Sequence, residues 1–239
     1  MSMSLTIAGL QKMTLLDYPG HVACTVFLQG CNFRCPFCHN SDLLPVSGDP
    51  FMTAEEFLDF LKKRTGLLDA VCVSGGEPTM QKELPEFLQA IKTMGYKVKL
   101  DTNGYRPEVL KGLVTGGLVD YVAMDVKNCP DAYGETIGLA KPDMAKIEES
   151  LRYLISGAVS YELRTTLVAE LHNEQTIQSM GQWLSALVPG KKCAKLFLQC
   201  FVGRDSVLKS GLSSPTDEQL QNYVSILTPY VDVVTVRGT

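Results

Sequence analysis

The chain lacks a membrane span: no apolar run in its 239 residues approaches the roughly 20 that cross a bilayer. It also lacks a basic surplus. Lysine and arginine number 22 against 26 aspartates and glutamates, for a formal net charge of -4, whereas nucleic-acid binders usually carry a positive excess. Residues 1–14 lack the charged start and apolar block of a secretory signal. A cytoplasmic protein is therefore expected, with neither membrane nor nucleic acid as partner. Linkers, low-complexity segments and internal repeats are missing, so a single domain over 1–239 is expected. At 45% hydrophobic residues the chain can bury one sizeable core.

Eight cysteines are present, but the chain is too long for a disulfide-stapled secreted mini-protein. Cys31, Cys35 and Cys38 crowd together, as metal-binding cysteines do in a reducing compartment. The other five are single and scattered. Cys24, Cys72 and Cys200 fall in apolar strand patterns and read as small core residues.

Short β-rich runs alternate with helical patterns. Strands are expected at 22–28, 70–74, 98–102, 119–126, 161–168, 196–201 and 231–237. Helices are expected at 53–64, 82–94, 106–114, 144–156, 174–187 and 216–227. Thr53 with Glu56 makes a capping box, and Leu84, Phe87, Leu88 and Ile91 recur at helical spacing. Such alternation implies parallel strands joined by crossover helices. The fold class expected is α/β, an incomplete (β/α)6 TIM-like barrel. Chemistry in such folds gathers at the C-terminal ends of the strands.

Those ends carry the notable residues. The first strand runs out into Gln29-Gly30-Cys31-Asn32-Phe33-Arg34-Cys35-Pro36-Phe37-Cys38-His39-Asn40. Three thiolates on one loop can hold three corners of an iron–sulfur cubane and leave the fourth iron open, where electron-transfer clusters take four cysteines. Zinc also wants four ligands, usually in pairs, and His39 directly follows Cys38, which disfavours that alternative. The second strand ends in Ser74-Gly75-Gly76-Glu77-Pro78, the third in Leu100-Asp101-Thr102-Asn103-Gly104 and the fourth in Met124-Asp125-Val126-Lys127. Two strand-end carboxylates repel unless a proton or a cation intervenes. Asp125 and Lys127 share a strand face, as do Glu162, Arg164 and Thr166. Alternation also puts Lys97 and Lys99 on the face of Asp101, and lysines fill cores poorly. A bulge near Leu100 or a rim position is expected to relieve that conflict.

The Cys-x3-Cys-x2-Cys spacing with Phe37 before the last cysteine resembles the radical S-adenosylmethionine (SAM) superfamily. The resemblance implies a [4Fe–4S] cluster on Cys31, Cys35 and Cys38. Its open iron would be chelated by SAM, and reductive cleavage would give a 5′-deoxyadenosyl radical. Cofactor contacts are implied for Phe37, His39, Asn40, Gly75, Gly76, Glu77, Asp125, Lys127, Arg164 and Gln199. Gln199 departs from a histidine at the matching place in pyruvate formate-lyase activase. The strand-end pairs resemble glycyl-radical-enzyme activases, which implies a monovalent cation (Na+ or K+) on Asp101, Thr102, Met124 and Asp125. Leu15-Leu16-Asp17-Tyr18-Pro19-Gly20, with Phe27-Leu28-Gln29-Gly30-Cys31 and Cys38-His39-Asn40, resembles the activating proteins of anaerobic ribonucleoside-triphosphate reductase. That implies abstraction of a glycine hydrogen in a large glycyl radical enzyme, with flavodoxin or ferredoxin as electron donor. Asp17 would touch the entering glycine loop, or it is simply a turn residue before Pro19. The rivals are an activase of pyruvate formate-lyase or another glycyl radical enzyme, a radical SAM enzyme acting on a small molecule such as a deazaguanine precursor, and a non-catalytic iron–sulfur or zinc protein.

Overall fold

The structure is a computed structural model that describes residues 3, 5–45 and 50–238. The run Gly48-Asp49-Pro50 reads as an ordinary turn; apart from Pro50 it lies outside the described residues. The chain divides into two compact units. The first comprises the described residues of 1–32, 42–102 and 108–123; the second those of 33–41, 103–107 and 124–239.

In the first unit, β1 (Ile7–Thr14) runs antiparallel to β2 (Ala23–Leu28). β2, β3 (Ala70–Gly75) and β4 (Lys97–Thr102) are parallel neighbours in chain order. Parallel pairing requires a crossover, and α1 (Ala54–Lys62) and α2 (Leu84–Thr93) supply it. α1 begins at the expected capping box: Glu56 N–H donates to Thr53 Oγ at 3.1 Å and Thr53 N–H to Glu56 Oε2 at 2.8 Å. α2 buries Leu84, Phe87, Leu88 and Ile91 completely. The next helix, α3 (Pro107–Thr115), leads towards β5 (Tyr121–Asp125), which begins in this unit and ends in the other.

β1 is absent from the sequence expectation. Its registry with β2 is interrupted twice, and Gln11, Lys12 and Met13 are all exposed. An irregular strand of this kind lacks the period-two alternation that marks a strand in sequence.

In the second unit, β6 (Ser160–Leu167), β7 (Cys193–Cys200) and β8 (Val231–Arg237) are parallel in chain order. They alternate with α5 (Met144–Ile155), α6 (Glu174–Leu187) and α7 (Asp217–Leu227). A further helix, α4 (Pro130–Ile137), was not anticipated. It is only 8 residues long and contains Gly134, too little for a helical period to declare itself. The parallel α/β pattern is the one expected. No helix among the described residues is long and apolar enough to cross a membrane.

Candidate active site

In the first unit the glycine pair after β3 is locked onto the end of β2. Gly76 N–H donates to Leu28 O at 2.9 Å and Glu77 N–H to Gly30 O at 2.7 Å. A Cβ on Gly75 would lie 2.3 Å from Leu28 O, and one on Gly76 would lie 2.1 Å from Gly30 O. Gly75 also holds φ at 120°, which side chains resist. Both glycines are thus required by backbone packing beside the segment that leads into Cys31.

Glu77 is buried, and its Oε1 accepts hydrogen bonds from Thr79 N–H at 3.1 Å and Thr102 Oγ–H at 2.7 Å, with the Thr79 hydroxyl also bonded. Its carboxylate therefore ties the β3 turn to the end of β4. On β4, Lys99 is buried and ion-paired with Asp101, which also accepts a hydrogen bond from Ser74 at 3.1 Å. On the β3 side Ala70↔Lys97 through Val73↔Leu100 pair without a break, so no bulge falls within that stretch. Lys97 is exposed at the strand start, while pairing with Asp101 accommodates Lys99. Asp17 is held in place from β2, whose Thr25 hydroxyl donates to it at 2.5 Å.

In the second unit the segment carrying Cys35 and Cys38 is clamped from two sides. Arg34 N–H donates to Ile137 O at 2.8 Å, the last carbonyl of α4. The helix then stops at Gly138 (φ 70°), where an added Cβ would lie 2.4 Å from Arg34 O. From the other side comes the segment after β7. His39 Nε2 bonds Val202 O at 2.7 Å, the His39 ring stacks on Phe201 at 5.4 Å, Ser206 Oγ donates to His39 O at 3.0 Å and Lys209 N–H to Pro36 O at 3.0 Å. Phe37 is buried, with the Lys127 ammonium 5.9 Å from its ring centre, and Asn40 is exposed.

A Gly138→Ala substitution is expected to shift this loop. It adds about 1–2 kcal/mol of left-handed backbone strain plus a clash with carbonyl rather than with a flexible side chain. Chemical denaturation measures the stability loss, and lower iron loading than wild type would report the displaced loop.

β5 ends at Asp125, which accepts from Lys127 Nζ at 2.8 Å on one oxygen and from Arg164 Nε at 3.0 Å on the other. Burial disfavours the Lys127 ammonium, but the charge and hydrogen bond of Asp125 together with nearby Cys35 and Tyr133 outweigh it and hold the lysine above its ordinary range. Met124 is buried, and its methyl group lies where a Cβ on Gly104 would fall. Gln199 sits in β7 between Thr166 of β6 and Arg237 of β8. Glu162 is buried and paired with Arg237 at 3.3 Å.

Residues 25–182 match the radical SAM superfamily. A Methanocaldococcus jannaschii protein, MJ1227, named among the glycyl-radical enzyme activating enzymes, is 33% identical over 98% of this chain and 97% of its own. This chain belongs to the glycyl-radical-enzyme activating family of the radical SAM superfamily. The pyruvate formate-lyase-activating enzyme of Clostridium pasteurianum is 36% identical over 52% of this radical SAM chain and 53% of its own. In fold the chain is similar to Streptococcus suis SuiB bound to S-adenosylmethionine (TM-score 0.67, 14% identity, 88% of this chain and 48% of that one). It is also similar to a domain of pyruvate formate-lyase-activating enzyme from Bacteroides vulgatus (TM-score 0.57, 20% identity, 71% and 99%).

The family uses a [4Fe–4S] cluster and SAM, and the cysteines of this activating enzyme divide accordingly. Only thiolates ligate metal. Burial pushes the Cys24 thiol up to about 12 and Cys193 up to about 11, so both stay protonated packing residues. Cys72 and Cys129 are buried too, and Cys200 is half-buried. Cys31, Cys35 and Cys38 lie at most seven positions apart and form no disulfide, with Cys38 N–H turned back onto Cys35 O at 3.1 Å. In residue type and spacing the three match the set that the resemblance implied for a cluster with one open iron, while no group of three or more His, Cys, Asp or Glu among the described residues is gathered to hold a metal ion.

Sequence reasoning missed the residues that hold the backbone of Lys127. His172 is buried, with Nε2 2.9 Å from Lys127 O and Nδ1 accepting Val168 N–H at 3.1 Å. Tyr133 Oη accepts Lys127 N–H at 3.4 Å. A lone histidine on a polar loop carries no periodic signal, so nothing in its sequence context announces it. Burial lowers the His172 pKa below its ordinary 6.5. The unfolded chain therefore binds the extra proton first, and stability present above pH 6.5 is lost as pH falls towards the folded value. The contribution has a slope of up to about 1.4 kcal/mol per pH unit. A melting curve taken from pH 7 to pH 5 should fall, and His172→Gln should flatten that part of the fall.

Proposed function

We propose that this activating enzyme acts on an anaerobic ribonucleoside-triphosphate reductase. The observation that carries this reading is the 15–20 turn, Leu15-Leu16-Asp17-Tyr18-Pro19-Gly20. Tyr18 is buried against Ala23 and Ala70 and anchors the turn, the Thr25 hydroxyl holds Asp17, and Leu15 and Leu16 stay exposed. Two solvent-facing leucines beside a fixed carboxylate suit a glycine-bearing peptide loop better than a small polar substrate.

In this reading 1–239 act as one radical SAM domain. Cys31, Cys35 and Cys38 hold the cluster. Phe37, His39, Asn40, the Gly75-Gly76-Glu77 turn, Lys127, Arg164 and Gln199 place SAM, with Asp125 orienting the lysine and the arginine. When bound, cluster and SAM supply the one-electron chemistry that removes a hydrogen atom from the partner's glycine. The protein's own share is positional. Lys127, kept charged by Asp125, offers an ammonium to a carboxylate ligand, and the bonds to His39 hold the cysteine loop rigid. A flavodoxin or ferredoxin supplies the electron. The matched Clostridium pasteurianum enzyme favours pyruvate formate-lyase as the second reading.

The test is anaerobic reconstitution, reduction, and mixing with SAM and a candidate ribonucleotide reductase. A glycyl doublet by electron paramagnetic resonance is expected. A doublet only on pyruvate formate-lyase would select the second reading. 5′-Deoxyadenosine without any doublet would point to a small-molecule substrate.

A further inference from the structure

We propose that this chain carries built-in counter-ions for its strand-end carboxylates, Lys99 for Asp101 and Lys127 with Arg164 for Asp125, in place of the monovalent cation that the resemblance implied. Each unit shows this by itself. In the first, the Lys99 side chain is 1% exposed, and its ammonium is ion-paired with Asp101 Oδ1. The Ser74 hydroxyl donates to the other oxygen at 3.1 Å. In the second, both oxygens of Asp125 accept from a cation, Lys127 at 2.8 Å and Arg164 at 3.0 Å.

The physical argument is charge and size. An ammonium has the charge and roughly the radius of a potassium ion, and it is tethered, so it needs no ion from solution. Lysines are almost never fully buried unless paired, and Lys99 sits mid-strand in regular register with Cys72, where nothing but a partner for its charge justifies it. An alkali ion arriving at Asp101 would meet an ammonium already in contact with the carboxylate, and like charges at that spacing repel strongly in a partly desolvated site. The residues present therefore do not fit an added cation.

The inference draws on family membership only for the expectation of a cation. Its readouts need neither a partner nor a cluster, so loss of the reductase reading would leave it standing. The purified full chain is titrated with potassium, sodium or thallium(I) nitrate against choline nitrate at constant ionic strength, by melting temperature and thallium NMR. Wild type is expected to respond equally to every ion and to show no bound thallium line. Lys99→Met is expected to gain a saturable rise in melting temperature with potassium and a bound thallium line, which Lys99→Met/Asp101→Asn loses. A saturable alkali effect on wild type overturns the proposal, and so does a folded Lys99→Met that binds no cation. If Lys99→Met folds in potassium but not in choline, the proposal is supported; if it folds in neither, the wild-type titration decides.

Discussion

A Cys35→Ser variant is expected to keep its fold and lose its chemistry. In the proposed ligand set Cys35 provides one of three thiolates for the cluster, and Cys24, the nearest cysteine outside that set along the chain, is a buried packing residue. Loss of one corner should abolish SAM cleavage, a fall on the order of 1,000-fold or more, equivalent to at least about 4 kcal/mol in the barrier. The fold should persist because the loop is held by groups other than the thiol. Arg34 N–H is bonded to Ile137 O, Lys209 N–H to Pro36 O, and His39 to Val202 O. Iron and sulfide content, 5′-deoxyadenosine yield and the far-ultraviolet circular dichroism spectrum separate the two effects. Wild-type 5′-deoxyadenosine from the variant would remove Cys35 from the ligand set. A collapsed spectrum would mean that the thiol, not the backbone clamp, organises the loop.

The second large effect concerns stability. Asp101→Leu leaves the Lys99 ammonium buried without its carboxylate. Breaking a buried pair from one side costs about 3–5 kcal/mol, much more than the intact pair contributes over an apolar replacement. Urea unfolding should show this as a lower midpoint with an unchanged slope. Lys99→Met/Asp101→Leu should recover most of the loss, since both charges are then gone and the replacements are apolar. A single-variant loss below about 1 kcal/mol would place Lys99 in contact with water, as an exposed pair behaves. Comparing the two variants isolates the cost of the stranded charge from the loss of packing.

The placement of the candidate site's residues at strand ends was legible before any coordinates. The cysteine spacing, the paired glycines and the carboxylates after successive strands each sit where a strand ends, and strands declare themselves by apolar runs. The helices α1 and α2 were legible for a similar reason: a capping box and a 3.6-residue apolar period are local signals. Less legible were β1, with its two register breaks, and α4, too short and glycine-containing to show a period.

Sequence alone determined the chemistry-bearing set: three thiols on one loop, a glycine pair one βα unit later, and acidic residues at the following strand ends. It determined these because reactivity and backbone freedom belong to individual residue types. Tertiary structure decided what those residues touch. It paired Lys99 with Asp101 where a bulge or a rim position was expected, turned the Thr102 hydroxyl to Glu77, and brought Val202 to His39 across 163 positions of sequence. It also set His172 under the carbonyl of Lys127, 45 positions away. Periodicity reports which face of an element is buried. It carries no information about which distant donor or charge meets a given group there, and that meeting sets whether a buried lysine is a fault or a counter-ion.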